Sequence, residues 1–248
     1  TLFPFEPEIF RRAGLNAQFI GHPLADALPF SPNRAAARDQ LGLESTRPVI
    51  ALLPGSRPGE IRRHAAVVAD AAERLTSEQG AETLLLLAEE RHRTLFADAA
   101  GRDPAESGLR VVFGQTRTGL TASDLALAAS GTVTLEALLA KTPLVVFYRL
   151  AGSTYQLARA LRLVKSRWIS LPNVLAGSEI VPERIQHEAT ANRLVADARA
   201  WLDSPQRREY FGEVALDIHH QLARGAATNA AEAILREVEY PGNEGCGR

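Results

Sequence analysis

The chain is 248 residues long, 46% of them hydrophobic, with a formal net charge of −1, one cysteine and no methionine. That length suits one large α/β domain, or one domain with pieces of another, and the apolar share is ample for a core. The near-neutral balance excludes nucleic-acid binding driven by bulk charge. The lone Cys246 excludes an internal disulfide framework and makes a reducing compartment the default.

The opening Thr1-Leu-Phe-Pro-Phe5 reads as the end of a strand, and with the missing methionine it suggests a fragment lacking its upstream part. No apolar run approaches the roughly 20 residues a membrane-crossing helix needs, and no signal-peptide pattern is present. Phe3 to Arg12 is a turn feeding a short helix, and Ala17 to Ile20 a brief strand. Gly21-His-Pro-Leu-Ala-Asp26 then enters a proline-rich connector with the composition of a hinge. Asn33 to Leu41 is helical, with Gly42 as its C-cap.

From Val49 a βα rhythm sets in. Candidate strands are Val49–Leu53, Thr83–Leu87, Leu109–Phe113, Leu125–Ala128, Leu144–Phe147 and Trp168–Ile169. Helical patterns cover Ile61–Gln79, Arg91–Ala100, Val133–Leu139 and Thr154–Leu163. The strands are unbroken apolar runs rather than alternating ones, as in a parallel sheet buried on both faces. The fold class is therefore α/β, a doubly wound parallel sheet of Rossmann-like type. Helices follow over Ala189–Leu202, Pro205–Ala223 and Ala226–Val238. The divisions read as 1–30, the close of a preceding domain with its hinge; 31–188, the sheet domain; 189–240, C-terminal helices; and 241–248, a disordered tail.

Two βα turns carry the chemistry. Asp124-Leu-Ala-Leu-Ala-Ala129 passes through Ser130, Gly131 and Thr132 into a helix. A glycine that admits a ligand, hydroxyls that donate and a helix start with unpaired N–H groups make an anion site. Glu136, four residues after Thr132, shares its helix face. A carboxylate there repels phosphate but suits the two hydroxyls of a ribose; equally, it could simply favour the helix dipole. A capping box needs a spacing of three, which neither Ser130 nor Thr132 gives. The other turn is Leu53-Pro-Gly-Ser-Arg-Pro-Gly-Glu-Ile61, where Gly55, Ser56 and Arg57 precede a helix and Arg57 can pair with phosphate. In the strand order 3-2-1-4-5-6 the first and fourth strands are neighbours, so both turns face one crevice. Two ordinary turns and a surface arginine are the alternative.

Further along, Asn173 in Ser170-Leu-Pro-Asn-Val-Leu-Ala-Gly177 is a turn former or an amide at the crevice rim. Val181-Pro-Glu-Arg-Ile-Gln186 reads as a helix start with Pro182 in its first turn and Glu183 and Gln186 on one face. Tyr148 and Arg149 end the fifth strand on the ligand side. Arg159, Arg162, Lys165 and Arg167 accompany the apolar Leu157, Leu161 and Val164, a pattern that fits either an anionic lipid surface or a solvated helix face. The histidines form no metal set: His187-Glu188 lacks a second histidine, because Ala191 stands in its place. No Gly-Lys-Ser/Thr phosphate loop, Gly-x-Gly-x-x-Gly, Asp-x-Asp or Gly-x-Ser-x-Gly occurs. P-loop nucleotidase, simple dehydrogenase and covalent acyl chemistry are thus disfavoured.

Six stretches in order, Leu2-Phe-Pro-Phe-Glu6, Phe19-Ile-Gly-His-Pro-Leu-Ala-Asp26, Leu52-Leu-Pro-Gly-Ser-Arg57, Ala129 to Ala137, Pro143 to Arg149 and Ser170 to Gly177, together resemble the lipid-A-disaccharide synthase family from about residue 1 to 240. The resemblance implies the C-terminal half of a two-Rossmann-domain (type B) glycosyltransferase of Gram-negative lipid A biosynthesis, with residues 1–30 closing the acceptor domain. It implies joining of UDP-2,3-diacylglucosamine to 2,3-diacylglucosamine 1-phosphate, with release of UDP, by a metal-free inverting displacement at the cytoplasmic face of the inner membrane. No cofactor is implied, because the UDP-sugar is a substrate, and no nucleic-acid partner. Some members of that family form homodimers through C-terminal helices. Arg57 and Asn173 match positions the family needs for activity. Gly55, Ser56, Ser130, Gly131, Thr132, Glu136, Tyr148, Arg149, Glu183 and Gln186 fall where the nucleotide sugar would lie. The family's candidate base, an aspartate, belongs to the domain this chain largely lacks, so the fragment alone should be inactive. Alternatives are a UDP-N-acetylglucosamine 2-epimerase, a lipid-linked cell-wall glycosyltransferase, or a non-catalytic nucleotide-binding module.

Overall fold

The computed structural model describes residues 1–43, 46–150 and 167–239. Three helices, α1 (Glu6–Arg12), α2 (Pro23–Ala27) and α3 (Arg34–Leu41), precede the sheet. There follow β1 (Val49–Leu53), α4 (Pro58–Gln79), β2 (Glu82–Leu87), α5 (Arg91–Ala100), β3 (Leu109–Phe113), α6 (Thr116–Ala122), β4 (Leu125–Ala129), α7 (Val133–Leu139) and β5 (Leu144–Tyr148). Then come α8 (Leu171–Ala176), β6 (Glu183–Ile185), α9 (Ala191–Leu202), α10 (Pro205–Leu222) and α11 (Ala226–Glu239).

The chain forms two compact units, one of residues 32–215 and one of 1–31 with 216 onward. In the larger, six strands pair in parallel in the order β3-β2-β1-β4-β5-β6. Every residue of β1 and β4 is buried, which is why these segments are apolar throughout. The alanines of β4 (Ala126, Ala128, Ala129) let helices approach closely. From the adjacent β1 and β4 the chain winds outward in opposite directions. Right-handed crossovers therefore place α4 and α7 on opposite faces of the sheet.

In the smaller unit α11 starts where its free amides meet a carboxylate: Gly225 and Ala226 N–H donate to Asp26 at 2.9 and 2.6 Å. Gly21 is required there, because a Cβ would lie 2.9 Å from Leu222 O and from Arg224 Cβ.

Three expectations are corrected. Ala17 to Ile20 is irregular, not a strand. Trp168–Ile169 is not the sixth strand; that strand is Glu183–Ile185, where a helix was expected. It is three residues long and half-exposed, so it lacks the apolar run by which buried strands are recognised. A 3-10 turn, Gln186–Glu188, follows it. The expected helix Thr154–Leu163, the basic residues Arg159, Arg162 and Lys165, and the tail 241–248 lie outside the described residues.

Candidate nucleotide-binding crevice

Because β1 and β4 are neighbours whose connections leave on opposite faces, the loops at their carboxyl ends part and leave a crevice at the topological switch point. Its volume is about 460 Å³. Gly55, Ser56, Arg57 and Glu60 line one side; Ser130, Gly131, Thr132 and Glu136 line the other; Tyr148 closes an end. The sequence expectation that both glycine-bearing turns share one crevice matches this arrangement.

The β4–α7 turn is open to a ligand. A Cβ on Gly131 would meet nothing within 4 Å. Thr134 N–H and Oγ donate back to Gly131 O at 3.1 and 2.8 Å. The N–H groups of Gly131, Thr132 and Val133 donate to no described group, leaving a cradle of amides at a helix start. The Ser130 hydroxyl is committed to Ile169 O at 3.2 Å, so Ser130 has only acceptor capacity left. Glu136 is half-buried, and burial raises its carboxyl above the usual range, with the positive charge of Arg117 opposing. It accepts no hydrogen bond from a described residue.

The β1–α4 turn is occupied from within. Ser56 and Arg57 N–H both donate to Glu60 Oε2 at 3.2 Å, and the Tyr148 hydroxyl donates to Glu60 Oε1 at 3.1 Å. Arg57 Nη1 lies 3.5 Å from the same oxygen, with 82% of its side chain exposed against 10% for Glu60. Glu60 is thus the N3 residue of α4, reaching back over a helix start whose first position is Pro58. Gly55 is required twice: its φ is 113°, and a Cβ would fall 2.6 Å from Glu60 Oε2. The amides of this turn are therefore not open to an anion from outside. They hold the chain's own carboxylate, while the exposed Arg57 side chain can still reach an anion, as the sequence suggests.

One turn beyond Glu60 on α4, the buried His64 joins the β1 turn to the exit of β5. Its Nδ1 lies 2.7 Å from Pro54 O, and its Nε2 accepts from Arg149 N–H at 3.0 Å. An acceptor at Nε2 assigns the proton to Nδ1, which donates to Pro54 O. Burial lowers the imidazole pKa, and the charges of Arg63 and Arg149 push the same way against the Pro54 bond and Glu60. Sequence reading missed both groups. Their signals were a glutamate three residues after an arginine N-cap, and a histidine in step with the apolar positions Ile61, Ala65 and Val68.

The remaining expected residues stand outside the crevice lining. The guanidinium of Arg149 turns away to Ala189 O at 2.6 Å. Asn173 is fully buried, and its amide is saturated. Nδ2 donates to Val181 O and Glu183 Oε1, each at 2.9 Å, and Oδ1 accepts from Ile180 and Val181 N–H. Glu183 in turn accepts from Ile169 N–H, Ser170 N–H and the Ser170 hydroxyl. Asn173 and Glu183 form a clamp joined through Ile169 to Ser130, not a rim that touches a ligand. Gln186 has φ 56° and a buried Nε2 with no partner among the described residues.

A doubly wound parallel sheet with a crevice of this kind is the Rossmann-like fold found in glycosyltransferases. Sucrose-phosphate synthase from Thermosynechococcus elongatus superimposes with a TM-score of 0.57 at 19% identity, over 97% of this chain and 58% of that one. The wall teichoic acid polymerase TagF gives 0.55 at 18%, over 96% and 57%. Sequence makes the assignment particular: the lipid-A-disaccharide synthetase family matches residues 1–238, and the chain belongs to it. A lipid-A-disaccharide synthase of Pseudomonas aeruginosa (strain UCBPP-PA14) is 44% identical over 96% of this chain and 62% of its own length. That of Xylella fastidiosa (strain 9a5c) is 40% identical over 94% and 61%. The chain therefore spans about three-fifths of the length of these relatives.

Proposed function

We propose that the crevice binds the UDP part of UDP-2,3-diacylglucosamine, within a longer protein that joins this sugar to 2,3-diacylglucosamine 1-phosphate. One observation carries the reading: in a family of lipid-A-disaccharide synthases, a half-buried carboxylate, Glu136, with no hydrogen-bond partner among the described residues, stands one helical turn above three amides that donate to no described group. The amides of Gly131 to Val133 take the diphosphate, and Glu136 accepts from both ribose hydroxyls. In the displacement the acceptor 6-hydroxyl attacks the anomeric carbon in one inverting step. The leaving UDP is stabilised by the amide cradle and by Arg57, without metal. Neither crevice carboxylate is free to take the acceptor proton, because Glu60 is engaged and Glu136 serves the ribose; that proton passes to the aspartate that the family resemblance places in the preceding domain. Asn173 and Glu183 act at one remove, holding Ile169 and hence Ser130 in place. The acylated substrates place the reaction at a membrane surface, the cytoplasmic face of the inner membrane. Among the described residues no helix is long and apolar enough to cross it.

Calorimetric titration tests the site. UDP should bind more tightly than ADP, and E136Q should weaken UDP about 10–100-fold through loss of charge-assisted bonds worth roughly 1.5–3 kcal/mol. Equal affinity for UDP and ADP, or an unchanged E136Q, would remove the nucleotide from this crevice.

A further inference from the structure

The Glu60–Tyr148 contact gives one end of the crevice a hydrogen-bonding sense that family likeness does not specify. Glu60 is held by two backbone amides and faces the Arg57 guanidinium. A carboxylate so held accepts and does not donate, so the Tyr148 proton points to Glu60 Oε1. The phenol oxygen then has only lone pairs left for the crevice it lines. Burial and the neighbouring Glu60 both raise the Tyr148 pKa, which keeps that proton in place. An acceptor-only oxygen backed by a carboxylate disfavours phosphate oxygens and suits a hydroxyl or an amide N–H.

Resting on the UDP-sugar reading above, we propose that Tyr148, oriented by Glu60, reads a hydrogen-bond donor on the transferred sugar, so that this end of the crevice selects the glycosyl group and not the nucleotide. Tyr148 touches the ligand; Glu60 is a positioning residue.

The test titrates UDP, UDP-glucose and UDP-N-acetylglucosamine into the wild-type chain, Y148F, E60Q and the double variant. Y148F should leave the UDP Kd within twofold and weaken UDP-sugars about 5–10-fold, as one hydrogen bond of about 1–1.5 kcal/mol requires. A loss with both sugars assigns a hydroxyl as the group read, and a loss with the N-acetyl sugar alone assigns the amide. E60Q, whose amide can donate to the phenol and reverse its sense, should lose the same discrimination. The double variant should be no worse than Y148F, and a purely structural role would not produce that coupling. Y148F weakening UDP and UDP-sugars equally, or neither, would overturn the proposal while leaving the crevice assignment intact. Absence of UDP binding in the wild type would overturn both.

Discussion

His64 offers the sharpest test of how the crevice is held, because one ring joins the β1 turn to the exit of β5. In H64A, Pro54 O loses a donor at 2.7 Å and Arg149 N–H an acceptor at 3.0 Å. Each buried group left unsatisfied costs about 1–3 kcal/mol, and the void left beside Phe147, whose ring meets the imidazole edge-on at 5.2 Å, adds about 1 kcal/mol. The variant should therefore lose roughly 3–7 kcal/mol in urea unfolding at pH 7.5. The pH dependence has a definite sign. Burial depresses the folded pKa below the ordinary 6.5, so below that value the unfolded chain binds a proton that the folded chain resists. Stability contributed by His64 is complete above pH 6.5 and declines as pH falls from there toward the folded pKa. Glu60, Arg63 and Arg149 are the charges that modulate it. His22 is depressed in the same direction by burial, so the difference between wild type and H64A isolates the His64 contribution. That difference should shrink between pH 7.5 and 5.5. A difference constant across this range, or a loss under 0.5 kcal/mol, would refute the clip (the threshold is roughly the scatter of surface substitutions).

Other substitutions separate ligand contacts from scaffolding. E136Q should raise the melting midpoint at pH 7 while weakening UDP. A carboxyl whose folded pKa is raised destabilises the fold once pH exceeds its ordinary value, and the amide removes that penalty. R57A in the full-length enzyme should cost about 10–100-fold in rate with no change in melting midpoint, since its side chain is mostly exposed; activity should survive EDTA. N173A should do the reverse in kind, losing about 2–4 kcal/mol of stability because the buried amides of Ile180 and Val181 lose their acceptor. A normal melting curve for N173A with abolished activity would restore Asn173 to direct contact with substrate. G55A should impair both folding and UDP binding, because its φ of 113° and the 2.6 Å approach to Glu60 leave no room for a Cβ; wild-type behaviour in both would contradict the close approach.

The central sheet was readable because β1, β2, β4 and β5 are buried on both faces, and such strands can only be apolar runs. The β6 strand was not, because an edge strand of Glu183, Arg184 and Ile185 carries side chains that satisfy the loop beside it, and Pro182 imitates a helix start. The same physics divides the site. Gly131, Thr132 and Glu136 were legible since a glycine turn feeding an amphipathic helix has a local signature. The family resemblance put Asn173 and Glu183 at the nucleotide sugar, and the residues by themselves suggested a turn former and a helix face. Their partners are the backbone groups of Ile169, Ser170, Ile180 and Val181, which every residue possesses and no sequence pattern marks.

The two helix starts at the switch point look equivalent in sequence and are opposite in the fold. Glu60 neutralises the α4 end with a covalently attached anion, whereas at the α7 end three amides have no partner among the described residues. An anion entering the crevice gains the α7 cradle but meets a carboxylate at α4, where Coulomb repulsion in a partly desolvated cleft is felt over several ångströms. On the proposed function a diphosphate would therefore be drawn to one side and its substituents pushed to the other. The exposed Arg57, tethered loosely at 3.5 Å from Glu60, is the group able to follow the negative charge as a leaving diphosphate develops it. An arginine already locked in a bidentate pair would have to break that pair first. On the proposed function the loose pairing would serve the chemistry: Glu60 holds the loop through its backbone contacts while leaving the guanidinium free to move.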